Sequence, residues 1–277
     1  MDLDQYIKLS IEEDVKNGDH STLSCIPENK IGSAELIIKE SGIIAGIEIA
    51  KSIFKTFDEN IILKPILKDG QEVKNGDVAF EVSGSSQSIL TIERLVLNVM
   101  QRMSAISTLT EKFVRKLDGL NTKILDTRKT TPLNRFLEKK AVKIGGGFNH
   151  RFGLYDMIML KDNHIDFAGG IKNAIEKSNR YIINKGLDMK IEIETRNLDE
   201  LKQVLEYGKV DRIMLDNFNF NDLKTAVKLI DGKFETEASG GINLKTAREY
   251  ALCGVDYISV GALTHSVNNM DISLKAI

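Results

Sequence analysis

Three segments of the chain concentrate side chains suited to gripping an anion. Asp126-Thr127-Arg128-Lys129-Thr130-Thr131-Pro132 sets a guanidinium beside an ammonium. The planar fork matches a carboxylate or phosphate bidentately, and the ammonium adds a point charge. In Gly145-Gly146-Gly147-Phe148-Asn149-His150-Arg151, three glycines that allow close backbone approach precede two groups able to hydrogen-bond an anion. Lys161-Asp162-Asn163-His164 supplies another lysine, suited either to anion binding or to a Schiff base. For a lone Arg-Lys a basic surface loop is the plainer reading, and a satisfied structural histidine is the weaker alternative for His150. Their convergence is what points to a site.

Acidic and glycine-rich segments complement these. Glu192 and Glu194 lie two apart in an apolar run, so on a strand both point to one face. With Asp216 they could hold Mg²⁺ or ribose hydroxyls, stabilise a developing positive charge, or simply pair with the basic groups. Ser239-Gly240-Gly241-Ile242-Asn243 and Gly261-Ala262-Leu263-Thr264-His265 have the composition of phosphate loops that open a helix N-terminus. Ordinary tight turns are the alternative for either loop. Together these groups suit a substrate with a sugar phosphate at one end and further anionic groups at the other.

The elements that must position these residues show in the spacing. Strand-like runs begin at Thr122, Asp156, Met189, Asp211, Phe234 and Asp256, in steps of 34, 33, 22, 23 and 22 residues. Amphipathic stretches such as NLDELKQVLEYG separate the later ones, with Leu198, Leu201, Val204 and Leu205 at helical spacing. Strands alternating with helices imply a parallel sheet, and about 22 residues per unit is the pace of a (β/α) barrel. Each run ends in charge, hydroxyl or glycine, and in a parallel barrel those ends share the face where chemistry occurs. The first hundred residues differ: AELIIKE, SGIIAG and KDGQEVKNGDVAFEVSG read as an α+β segment with antiparallel hairpins. A helix follows from about Thr91, with Ile92, Leu95, Val96, Val99, Met100, Met103 and Ile106 on its apolar face. The expected division is an N-terminal α/β sandwich over 1–108 and a barrel over 109–265, with the tail 266–277 a candidate to pack on the former.

Composition narrows the class. The chain has 277 residues, 42% hydrophobic and 28% charged, with a net charge of −2. That is too apolar for disorder and lacks the basic balance of a general nucleic-acid binder. The balance hides a local excess: residues 128–161 hold eight basic residues against Glu138 and Asp156, so that window is +6 and the remainder −8. Lys139, Lys140 and Lys143 read as a solvated helix face within it. Two distant cysteines, Cys25 and Cys253, without metal-type spacing favour a reducing compartment. The first residues lack the pattern of a signal peptide and no run approaches a membrane span, so the expectation is a soluble cytoplasmic protein.

ILDTRKTTP, EKKAVKIGGGFNHRFGLYDMIMLKDNHI, IEIE, MLDNF, ASGGI and VGALTHS closely resemble the quinolinate phosphoribosyltransferase family, as do EEDVKNGDHST and ERLVLNVMQRMSAIST. The resemblance runs from about residue 12 to residue 274. It implies an N-terminal α/β sandwich, an open, incomplete barrel of six strands, and a dimer whose sites are completed by an arginine from the partner. It implies that quinolinate attacks the anomeric carbon of phosphoribosyl pyrophosphate with Mg²⁺, losing its 2-carboxylate, in NAD synthesis. Carried over by residue, Arg102 matches the arginine donated across the dimer. Arg128, His150, Arg151 and Lys161 match the groups on the two carboxylates, with Lys129 near the pyrophosphate. Glu194 and Asp216 match the pair at the ribose and metal. Ser239, Gly240, Gly261 and His265 match the 5′-phosphate loops. Lys129, Lys161, Glu194 and Asp216 are the expected catalytic set. Leu133 departs from the pattern, standing where the family often has glycine. The alternatives are a related transferase with another acceptor, such as nicotinate, a Schiff-base aldolase using Lys161, and a non-catalytic phosphometabolite binder.

Overall fold

The computed structural model describes residues 2–277. The chain divides into two compact units. One comprises the residues up to Glu111 with Thr130–Gly146 and Ser266–Ile277; the other comprises Lys112–Lys129 and Gly147–His265.

In chain order the elements are α1 (Leu3–Asp14), α2 (His20–Cys25), β1 (Ile31–Ile38), β2 (Gly42–Ile43), α3 (Ile47–Phe57), β3 (Ile62–Pro65), β4 (Glu72–Val73), β5 (Val78–Ser85) and α4 (Ser86–Lys116). Then come β6 (Lys123–Leu125), α5 (Arg135–Ile144), β7 (Ile158–Leu160), α6 (Asp162–Ala168), α7 (Ile171–Lys185), β8 (Ile191–Thr195) and α8 (Leu198–Tyr207). The chain closes with β9 (Arg212–Asp216), α9 (Phe220–Ile230), β10 (Glu235–Ser239), α10 (Ala247–Ala251), β11 (Tyr257–Ser259), α11 (Ala262–His265) and β12 (Ile272–Ala276).

The first unit is built on an antiparallel sheet ordered β12-β1-β5-β3. The C-terminal tail thus forms an edge strand beside β1, with Leu274 opposite Leu36. Alternation along β1 and β5 buries Leu36, Ile38, Phe80 and Val82. The helix expected from Thr91 starts earlier, at Ser86. Helix α5 groups with this unit, although 109–265 reads as one segment in sequence. Lys139 on α5 corrects the solvated-face expectation: it is 1% exposed, whereas Lys140 and Lys143 are exposed. Leu137, Glu138, Lys139, Ala141 and Val142 are all buried, which at 3.6 residues per turn covers more than half the helix circumference.

The second unit is a six-stranded parallel sheet ordered β6-β11-β10-β9-β8-β7, left open between β6 and β7. Phe148 extends the β6 edge by a single parallel bridge to Leu125. The later βα turns are built alike: Asn197 caps α8 by accepting from the Asp199 and Glu200 N–H groups, and Asn219 caps α9 the same way. Leu201, Val204, Leu223 and Ala226 on these helices are fully buried. Strand parity then sorts the interior. Ile191, Ile193, Ile213 and Leu215 alternate with Glu192, Glu194, Arg212, Met214 and Asp216. One parity carries aliphatic side chains and the other carries charge at every position but Met214. Cys25 is exposed, Cys253 is buried, and both are free thiols.

Candidate active site

A cleft of about 900 Å³ opens at the C-terminal ends of the parallel strands. Arg128 and Lys129 reach it from the loop after β6, His150 and Arg151 from the loop before β7, and Lys161 from the end of β7. Asp216 and Ser239 arrive from the ends of β9 and β10, and Gly240, Gly241, Gly261 and His265 from the loops beyond β10 and β11. All these residues belong to the second unit.

The phosphate-type loops are held close. Gly240 has φ +99, and a Cβ there would lie 2.9 Å from the Asn217 backbone nitrogen and 2.6 Å from its Cγ. Glycine is what lets the two loops approach. At the second loop, a Cβ on Gly261 would meet Lys129 Cδ at 3.0 Å and His265 Nε2 at 3.1 Å. The Thr264 hydroxyl donates to the Lys129 carbonyl at 2.7 Å, tying this loop to the DTRK segment.

The carboxylates lie beside hydrogen-bond donors. Lys161 Nζ donates to Glu194 Oε2 at 2.6 Å. Asp216 accepts from the Ser239 hydroxyl and the Asn217 amide, which fixes its orientation at the cleft wall. Glu194 meets the cleft through Lys161, since Lys161 and Asp216 line it and Glu194 does not. Arg151 donates to the Met157 carbonyl at 3.2 Å. Burial and the neighbouring Arg128 both lower its pKa, the mark of two guanidiniums gathered where an anion would balance them.

Glu192 takes a different place from Glu194. It is fully buried beneath the cleft, where His150 Nε2 lies 3.0 Å from Glu192 Oε2 and 3.2 Å from Glu237 Oε2. Nδ1 of the same ring accepts the Arg151 amide N–H at 2.6 Å. Burial lowers the His150 pKa and the two carboxylates raise it, but with Nδ1 filled by the Arg151 N–H the ring has room for one proton only, on Nε2. Burial and the charge of Glu237 push Glu192 up to about 7. Burial would also raise Glu237, but His150, Ser259 and Arg212 outweigh it and hold Glu237 below the usual carboxylate range.

Arg102 lies in the other unit, on α4. Its guanidinium donates to buried Glu138 at 2.9 and 3.1 Å, and it lines a separate cavity of about 280 Å³ there. Sequence reasoning missed Glu237 and Arg212. Both occupy the charged parity of their strands, and FETEAS carried the signal in two glutamates at period two inside a strand-like run.

Fold and cleft define a class: an open α/β-barrel enzyme for a phosphorylated, multiply anionic substrate. Family models for Quinolinate phosphoribosyl transferase match residues 19–104 (N-terminal domain) and 106–275 (C-terminal domain). The chain belongs to the quinolinate phosphoribosyltransferase family. It is 46% identical to the chloroplastic nicotinate-nucleotide pyrophosphorylase (carboxylating) of Arabidopsis thaliana, over 99% of this chain and 82% of that protein. It is 43% identical to the mitochondrial quinolinate phosphoribosyltransferase (decarboxylating) 2b of Nicotiana tabacum, over the same shares. NadC from Streptococcus pyogenes superposes with a TM-score of 0.93 at 37% identity, covering 99% of this chain and 97% of that one. The nicotinate-nucleotide pyrophosphorylase of Francisella tularensis does so with 0.92 at 38%, covering 99% and 96%.

Proposed function

We propose that this protein transfers the phosphoribosyl group of phosphoribosyl pyrophosphate to the ring nitrogen of quinolinate, yielding nicotinate mononucleotide, pyrophosphate and CO₂ for NAD synthesis. The observation that carries the proposal is one cleft that holds Arg128, Arg151 and Lys161 together with a tight glycine cradle. Two carboxylates and a 5′-phosphate suit those two ends. The nitrogen lone pair forms the bond to the anomeric carbon as pyrophosphate departs with its oxygen. Positive charge builds on the ribose as the pyrophosphate leaves, where Asp216 at the cleft wall and Glu194, through Lys161, stabilise it. The ring gives up its 2-carboxylate as CO₂ and takes a proton at that carbon. Arg128, Arg151 and Lys161 orient the dicarboxylate, with His150, expected beside them, acting through Arg151 because both its ring nitrogens face protein atoms; Lys129 faces the pyrophosphate, and Ser239, Gly240, Gly261 and His265 hold the 5′-phosphate.

Glu194 and Asp216 also suit Mg²⁺, being hard oxygen donors at the ends of neighbouring strands. Each already accepts a hydrogen bond, so they fit an ion held partly through water or substrate oxygens. When bound, the ion would neutralise charge on the pyrophosphate.

The same proposal includes a homodimer in which Arg102 completes the partner's site. It also includes a cytoplasmic location. Among the described residues no helix is long and apolar enough to cross a membrane, while the plant relatives are named chloroplastic or mitochondrial.

The test is incubation with phosphoribosyl pyrophosphate, Mg²⁺ and quinolinate labelled in the 2-carboxylate, with nicotinate in parallel. Labelled CO₂ and nicotinate mononucleotide from quinolinate alone are expected. Turnover of nicotinate alone would reassign the acceptor, and no turnover of either would overturn the proposal.

A further inference from the structure

The charged layer at the floor of the cleft, which reaches the lining through His150 and Glu237, has no part in the reaction as written. Glu192 and Glu237 come from the strands flanking β9, both fully buried, and both approach His150 at Nε2. Arg212 of β9 places Nη1 3.3 Å from Glu237 Oε2 and its guanidinium 4.1 Å from the Tyr257 ring centroid. Buried carboxylates are expensive without compensation, and a barrel interior is ordinarily filled by branched apolar side chains. Glu192 faces His150 Nε2 at 3.0 Å without a well-aligned hydrogen bond, so the contact is mainly electrostatic. The layer is therefore retained at the expense of cheaper packing.

Its geometry leads to Arg151. With Nδ1 accepting the Arg151 amide N–H at 2.6 Å, the ring proton belongs on Nε2, facing the two carboxylates. Asp126, also fully buried, accepts the His150 amide N–H at 2.9 Å. The backbone on both sides of His150 is thus held by buried acceptors. The ligand atoms of His150, Glu192 and Glu237 lie within 4.8 Å of one another, a spacing that could hold a cation. The tautomer argues against one: coordination through Nε2 would put the ring proton on Nδ1, which the Arg151 N–H already approaches.

We propose that Glu192 and Glu237 are positioning residues that clamp His150 at Nε2, so that Nδ1 fixes the Arg151 backbone and aims its guanidinium at the acceptor's carboxylate. The proposal rests on the reading of the acceptor as quinolinate.

Glu237→Gln and Glu192→Gln test it. The latter leaves the Arg212–Glu237 pair intact and covers the case in which the former fails to fold. Each should raise KM for quinolinate about tenfold, the size of one lost hydrogen bond, with KM for phosphoribosyl pyrophosphate within about twofold. The chain has four histidines, so nitrogen NMR of ¹⁵N-histidine protein can report the His150 tautomer without substrate. Protonation at Nε2 in the unmodified protein, and a changed ring signal in each variant, are expected. Equal rises in both KM values, or a His150 signal unmoved by either substitution, would overturn the clamp. Selective broadening of that signal by Mn²⁺ would overturn it in favour of a metal site. Absence of quinolinate turnover in the unmodified protein would count against the acceptor instead, and the NMR result would still decide the clamp.

Discussion

Lys161 Nζ donates to Glu194 Oε2 at 2.6 Å, joining the end of β7 to the end of β8. An ammonium committed to a carboxylate has no lone pair for an imine, so the pair favours electrostatic work over Schiff-base chemistry. Lys161→Ala and Glu194→Gln should each keep the fold and lose about 10²–10³ in kcat, the effect of one well-placed charge. Borohydride with a carbonyl substrate should trap no adduct. A stable adduct at Lys161 would return the lysine to the aldolase reading.

Gly240 makes the cradle possible. Its φ of +99 and the 2.9 Å approach of a would-be Cβ to the Asn217 backbone nitrogen leave no side chain room. Gly240→Ala combines backbone strain with overpacking, together about 2–4 kcal/mol. Chemical denaturation should register that loss, and KM for phosphoribosyl pyrophosphate should rise more than KM for quinolinate. An alanine variant of unchanged stability would mean that the loops separate freely.

The strand rhythm was legible because a parallel sheet buried on both faces demands short apolar runs at regular spacing. All six runs became paired strands. Their ends also marked the cleft, because Arg128, Lys161, Asp216 and Ser239 are too polar for a sealed core. The charged layer was hidden for the opposite reason. Glu237 and Arg212 are buried mid-strand, and sequence alone does not show that their charges compensate. Lys139 was misread because helical spacing identifies an apolar stripe but not how far burial spreads around it. Nor does spacing reveal that α5 groups with the first unit. Leu133 takes a left-handed backbone, φ +67, with its side chain exposed, which a leucine in sequence does not announce.

Arg102 and Glu138 form a partly buried pair, the arginine side chain 25% exposed and the glutamate 1%. Glu138 also accepts the Thr131 amide N–H at 3.2 Å. Removing the guanidinium leaves a buried carboxylate short of donors, at about 1–3 kcal/mol. Arg102→Ala should therefore lower the melting temperature as well as quinolinate turnover. If Arg102 acts in the partner's site, mixing Arg102→Ala with Lys161→Ala protein should restore part of the activity, because some mixed sites are intact. Mixtures no more active than the separate variants would place Arg102 in its own subunit's chemistry.

The buried layer also sets a direction for stability against pH. With Nδ1 accepting the Arg151 N–H, the His150 ring holds a single proton and is not the group that titrates. Glu192 carries the change, because burial and the charge of Glu237 raise it from its ordinary 4.5 to about 7. The folded state then binds more protons than the unfolded state between those values. This contribution is complete below about pH 4.5 and is lost as pH rises through about 7, by up to about 3 kcal/mol. Glu237, held below the usual range by His150, Ser259 and Arg212 against the effect of burial, acts with the opposite sign but only in more acid solution. The melting temperature should therefore fall by several degrees between pH 5 and pH 8, about 2–4 °C per kcal/mol for a chain of this size. Glu192→Gln removes the titrating group, so its curve should be flatter over the same interval even if the variant starts less stable. Parallel curves for the two proteins would show that Glu192 holds no extra proton in the folded state.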